Sequence, residues 1–255
     1  MPLIGTSWKM NLTVAQADHW FTTFRSLAGE AVGVDFFVLP PFTVLSLARE
    51  RLTGSGIAWG AQDVSPFADG AHTGDVSATM LADLGCRFVE VGHAERRRDH
   101  GETTATIAAK VQAVVEAGMD VVLCTGELDE SPVADAIEAV LADIERCLEQ
   151  IGPADLARIV VAYEPIWAIG EGRRPAPPAR VGQIQRAIAE RLGGLAGIRP
   201  RVIYGGSVDT TSAPLLLAEP GVDGLFIGRN GLDPLRFATI AGVLPAQAGT
   251  GTGTR

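Results

Sequence analysis

Arg158-Ile159-Val160-Val161-Ala162-Tyr163-Glu164 is an apolar run that stops on a carboxylate. Ile159 to Ala162 show no alternation of polar and apolar residues, which is how a strand covered on both faces reads. Phe36-Phe37-Val38-Leu39 reads the same way. Working outward, strands are predicted over Leu3–Met10, Val34–Leu39, Ile57–Ala61, Arg87–Val91, Met119–Cys124, Arg158–Tyr163, Val202–Tyr204 and Leu225–Ile227, with helical patterns between them. Thr13 with Gln16 makes a capping-box pattern, and Asp233-Pro234 supplies an N-cap followed by a proline in the first helical turn. Eight strand–helix alternations predict an α/β fold of one domain, a parallel (β/α)₈ barrel. An open, doubly wound sheet competes, but it calls for a glycine-rich phosphate turn after the first strand, and Lys9-Met10-Asn11 stands there instead.

Length and composition agree with one domain. The chain has 255 residues, 47% hydrophobic and 20% charged, a size that suits a single α/β barrel. The barrel is expected over 1–244. Residues 245–255, rich in Gly, Thr and Ala without periodicity, read as a loose tail. With 21 Lys and Arg against 30 Asp and Glu, the net charge is −9 and nucleic acid is not an expected partner. No apolar run reaches membrane-spanning length, and the opening Pro2-Leu3-Ile4 is cut short by Gly5, Thr6, Ser7 and Lys9. Cys86, Cys124 and Cys147 are odd in number and lack metal spacing, which points to a reduced, cytosolic protein.

Parallel barrels gather their active sites at the C-terminal ends of the strands. Lys9 after strand one, His93 after strand four and Glu164 after strand six are the polar groups expected there. Singly, each has an ordinary reading as a surface charge, a cap or a structural partner. Together they suit proton abstraction next to a carbonyl: a carboxylate removes the proton, and donors fixed beforehand hold the enediolate that forms. Gly205-Gly206-Ser207 after strand seven and Gly228 after strand eight fall where barrels of this kind present backbone N–H groups to a phosphate. His19, His72 and His100 have no ligand-type neighbours at metal spacing, so neither a metal nor a cofactor is expected. Arg96-Arg97-Arg98 reads as a solvated or ion-paired run.

Four segments, Ser7-Trp8-Lys9-Met10-Asn11, Val91-Gly92-His93-Ala94-Glu95-Arg96-Arg97, Ala162-Tyr163-Glu164-Pro165-Ile166-Trp167-Ala168-Ile169-Gly170 and Tyr204-Gly205-Gly206-Ser207-Val208, resemble in order the signatures of the triosephosphate isomerase family. The resemblance covers nearly the whole chain. It implies that Glu164 is the base, that His93 is a neutral imidazole moving protons between the substrate oxygens, and that Lys9 stabilises negative charge on them, roles already described for that family. It further implies a mobile lid over Pro165–Ala176, with the Gly170 N–H, Ser207 and Gly228 at the phosphate; Arg229, next to Gly228, is also expected in the substrate site. The loop around Ser65–Asp75 resembles the family's intersubunit loop, which implies a homodimer.

Some positions depart from the family pattern. Ser7 stands where Asn is usual, Glu171 where Thr is usual, Arg229 where a second Gly follows Gly228, and Ala94 where Ser follows the histidine. The combination resembles the branch that isomerises erythrulose phosphates in erythritol breakdown. The expected reaction is therefore L-erythrulose 1-phosphate to D-erythrulose 4-phosphate, with Ser7 making room for an added hydroxymethyl group and Glu171 pairing with Arg229 on lid closure. The alternatives are dihydroxyacetone phosphate to glyceraldehyde 3-phosphate, and a non-catalytic barrel that binds sugar phosphates.

Overall fold

The structure is a computed structural model that describes residues 1–29, 33–170, 173–197 and 199–243. The strands are β1 (Leu3–Ser7), β2 (Asp35–Leu39), β3 (Ala58–Ala61), β4 (Phe88–Val91), β5 (Asp120–Thr125), β6 (Ile159–Tyr163), β7 (Arg201–Tyr204) and β8 (Gly224–Ile227). The α-helices are α1 (Val14–Ala28), α2 (Leu45–Leu52), α3 (Ala78–Asp83), α4 (Ala94–His100), α5 (Thr104–Glu116), α6 (Val133–Cys147), α7 (Pro178–Ala196), α8 (Ser212–Leu217) and α9 (Pro234–Ile240). Every strand pairs in parallel with its sequence neighbour, and β1 also pairs with β8, Leu3 opposite Gly224, so the sheet closes into a barrel. The parallel eight-stranded barrel is as expected. Residues 245–255 lie outside the described residues.

The expected β1 extended to Met10, whereas the strand stops at Ser7. Trp8 is fully buried against Trp20 and Phe21, and Lys9 takes a left-handed φ of 52°, which a non-glycine residue adopts at a cost and which breaks the strand's extended path. Both expected helix starts are present. Gln16 accepts a hydrogen bond from the Thr13 N–H at 2.9 Å, and Asp233 caps α9 by accepting from the N–H groups of Leu235 and Arg236.

Alternation along each strand divides the core in two. Leu3, Phe37, Leu39, Phe88, Val122, Cys124, Val160, Ala162, Ile203 and Phe226 fill the barrel interior, while the alternate residues pack under the helices. A side chain on Gly5 would place its Cβ about 2.0 Å from the Phe37 ring, so this strand position must be bare for the interior layer to close. The strands' N-terminal ends carry ion pairs: Arg87 and Arg158 with Asp120, Arg199 with Asp223 at 2.7 Å, and Arg201 with Asp35 at 2.7 Å. The Arg96-Arg97-Arg98 run is ion-paired as expected, to Asp63 and Glu102, to Asp143 and to Asp99 respectively.

Candidate active site

The C-terminal mouth of the barrel opens into a cavity of about 730 Å³. All eight residues singled out from the sequence line it: Ser7, Lys9, His93, Glu164, Gly170, Ser207, Gly228 and Arg229. Glu171 lies outside the described residues, so the structure does not describe its expected pairing with Arg229.

Three strands and the turns after them place the charged groups. Glu164 follows β6, held by its N–H donating to the Thr125 carbonyl at 2.8 Å. Its carboxylate fits because position 205 has no side chain: a Cβ there would lie 2.6 Å from both Cγ and Oε1 of Glu164. His93 is the N-cap of α4, and its Nδ1 accepts a hydrogen bond from the Glu95 N–H at 3.1 Å. A nitrogen that accepts carries no proton, so the neutral ring bears its hydrogen on Nε2. That atom lies 3.6 Å from Glu164 Oε2. Lys9 reaches over the mouth and donates to Glu95 Oε1 at 2.8 Å.

The electrostatics follow from burial and neighbours. Burial, reinforced by the charge of Lys9, pushes His93 down to about 4, so the imidazole is neutral throughout the neutral range. Burial, reinforced by the nearby Glu90, pushes Glu164 up to about 8. Partial burial opposes the charge of Lys9, but its hydrogen bond to Glu95 and the fields of Glu95, Glu164 and Glu90 outweigh this and raise its pKa. An always-charged ammonium, a neutral N–H donor and a carboxylate of raised proton affinity thus meet in one cavity. That set can move a proton between adjacent carbons while holding charge on their oxygens.

Sequence reasoning missed Glu90, Glu95 and Cys124. Glu90 is buried on the inner face of β4, two residues beyond Phe88, a position next to the apolar interior layer. The signal for it was a lone acid in the apolar run Phe88-Val89-Glu90-Val91. Ser7 Oγ donates to Glu90 Oε2 at 2.7 Å, so the hydroxyl expected to hydrogen-bond does so, with a partner in the wall that the sequence did not name. Cys124 Sγ lies 3.7 Å from Glu90 Oε1 and 3.9 Å from Glu164 Oε1. The segment after Glu164 is anchored by Trp167 Nε1 donating to Glu127 at 3.0 Å, with Arg180 bonded to the same carboxylate and set over the Trp167 ring. Ser207 Oγ donates to the Ala168 carbonyl at 3.2 Å, tying the β7 turn to that segment.

Fold and cavity together define a (β/α)₈ barrel enzyme of the acid–base type. The triosephosphate isomerase family profile matches residues 2–244, and the chain belongs to that family. Triosephosphate isomerase from Symbiobacterium thermophilum is 39% identical over 243 residues, 94% of this chain and 95% of that one. The Bordetella pertussis triosephosphate isomerase is 41% identical over 240 residues, covering 94% and 96%. The crystal structure of triosephosphate isomerase from Bartonella henselae matches with a TM-score of 0.82 at 33% identity, over 95% of this chain and 98% of that one. The chain is accordingly an isomerase of ketose and aldose phosphates, and the non-catalytic alternative is set aside.

Proposed function

We propose that the chain interconverts dihydroxyacetone phosphate and glyceraldehyde 3-phosphate. The observation that carries this reading is the neutral His93, its Nδ1 tied to the Glu95 N–H and its Nε2 directed at Glu164 beside the Lys9 ammonium. Glu164 takes the proton from the hydroxymethyl carbon of the ketose. The electron pair moves into the carbon–carbon bond, and the carbonyl oxygen gains charge opposite Lys9 and the imidazole N–H. His93 then transfers a proton between the two oxygens, and Glu164 returns its proton to the neighbouring carbon. Gly170, Ser207, Gly228 and Arg229 are assigned to the phosphate. Closure of the segment that carries Gly170 over the substrate would exclude water and strengthen every interaction inside.

The relatives compared carry the triosephosphate isomerase name, and this supports the triose over the four-carbon reading. One observation keeps the tetrulose phosphate as a second reading: Ser7 and Glu90 add a hydrogen-bonding pair to the cavity wall, which suits a substrate with one more hydroxyl. The deciding experiment compares kcat/KM on dihydroxyacetone phosphate and on L-erythrulose 1-phosphate. A ratio above ten for the triose supports the first reading, and the reverse ratio replaces it. Solvent deuterium appearing in neither substrate would defeat the isomerase mechanism itself.

We also propose a homodimer. Phe67, half exposed and stacked on His72 at 4.3 Å in the loop between β3 and α3, gives that loop an apolar contact surface. The three cysteines are free and buried, which supports the cytosolic location expected from the sequence.

A further inference from the structure

Glu90 is a carboxylate buried in the barrel near Ser7 and Glu164, and among the described residues no cation lies within ion-pair distance of it. Removing such a charge from water costs several kcal/mol unless it is paired or neutralised. Its Oε2 accepts from the Ser7 hydroxyl, and its Oε1 lies 3.7 Å from the Cys124 sulfur. The same sulfur lies 3.9 Å from Glu164 Oε1. A thiol has one hydrogen and can donate to only one of the two oxygens, so the other contact is favourable when the carboxyl itself carries the hydrogen.

We propose that Glu90 is a positioning residue that shares one proton with Glu164 through the Cys124 thiol. The proton rests on Glu164, the carboxyl of higher proton affinity, and passes to Glu90 in one coupled move: Glu164 Oε1 gives its hydrogen to Sγ as the thiol gives its own to Glu90 Oε1. With the proton on Glu90, Glu164 is ionised as the base and no second buried charge stands beside it. When Glu164 takes a proton from substrate and returns it, the chain ends as it began.

The groups facing the pair are few. Ser7 and Lys9 approach from β1 and the turn after it, His93 and Glu95 from the β4–α4 turn, and Cys124 from β5. Lys9 favours ionisation of both carboxyls, Glu95 opposes it, and His93 is neutral. Two carboxyls facing one thiol in this setting cannot both ionise cheaply, and both are raised, Glu90 to about 7. The role rests on the isomerase reading of the site.

The test is the pH profile of kcat/KM on dihydroxyacetone phosphate for the full chain, Glu90→Gln and Glu90→Leu, together with ¹³C NMR titration of labelled glutamate carboxyls. The wild type is expected to lose activity as pH falls through the neutral range. Each variant should move that limb at least one pH unit lower, and NMR should show Glu164 titrating lower by the same amount. Leu fits an apolar interior, so that variant folds even if the amide does not. A limb and a Glu164 titration unmoved in either folded variant overturn the proposal, as does Glu90 ionising below pH 5 in the wild type. If the wild type turns over no ketose phosphate, the functional reading falls while the NMR titration still decides the shared proton.

Discussion

The two ends of this barrel are both rich in charge, and they use it in opposite ways. At the N-terminal ends of the strands, Arg87, Arg158, Arg199 and Arg201 meet Asp120, Asp223 and Asp35 in ion pairs whose arginines stand in solvent. At the C-terminal mouth, Glu90, His93 and Glu164 are buried, and burial is the first cause of each shifted proton affinity. Exposed pairs contribute roughly 0–1 kcal/mol each. Buried groups without full pairing cost more than that, so the mouth is held at the expense of stability in return for reactivity. The lesson is that charge alone does not locate a site, whereas burial without compensation does.

The largest expected effect that would break this contrast is on catalysis. Glu164→Gln should lower kcat by on the order of 10⁴-fold, since an amide cannot take the proton, and Glu164→Asp by on the order of 10²-fold through retraction of the carboxylate. Steady-state kinetics near the wild-type value for either would remove Glu164 from the role of base.

Next comes a displacement of the same group without changing it. Gly205→Ala drives a methyl into the space of Glu164 Cγ and Oε1, so kcat should drop about 10- to 100-fold while circular dichroism stays that of the folded barrel. Retained activity would mean that the carboxylate position is not critical.

The third effect is on stability and has a definite sign. The folded chain holds the Glu164 proton up to about 8 against an ordinary 4.5, so between those values the folded state binds more protons than the unfolded one. The contribution of this group to stability is therefore lost as pH rises through that window. Glu164→Gln removes the cost, and its Tm should exceed that of the wild type by on the order of 10 °C at pH 8, with the gap closing towards pH 5. Thermal melts showing a gap that widens on acidification would contradict the burial argument.

The smallest effect belongs to the other end. Arg201→Ala should change unfolding free energy by no more than about 1 kcal/mol and leave kcat/KM unaltered. A large loss of activity there would erase the distinction between the two ends.

The sequence showed the architecture more clearly than the chemistry between neighbours. Eight apolar runs suffice to predict the parallel barrel, because residues buried on both faces leave no alternation, and strand ends then place Lys9, His93 and Glu164 near one another. The end of β1 was not legible. Apolar Trp8 prolongs the run, and only the left-handed backbone at Lys9 shows where the strand has stopped. Nor was the bond from Ser7 to Glu90, which joins residues 83 positions apart on different strands. Strand ends tell which residues reach the mouth, but not which of them a given hydroxyl will choose.

The pairing of β1 with β8 has a consequence for how the molecule is made. β1 finds its second neighbour in β8, some 217 residues later in the chain, so a growing chain carries an open strand edge on β1 until Gly224–Ile227 emerges. At typical synthesis rates that interval is roughly 10–45 s. The barrel is thus a structure that no shorter nascent chain can close, and its most vulnerable period comes before it is complete.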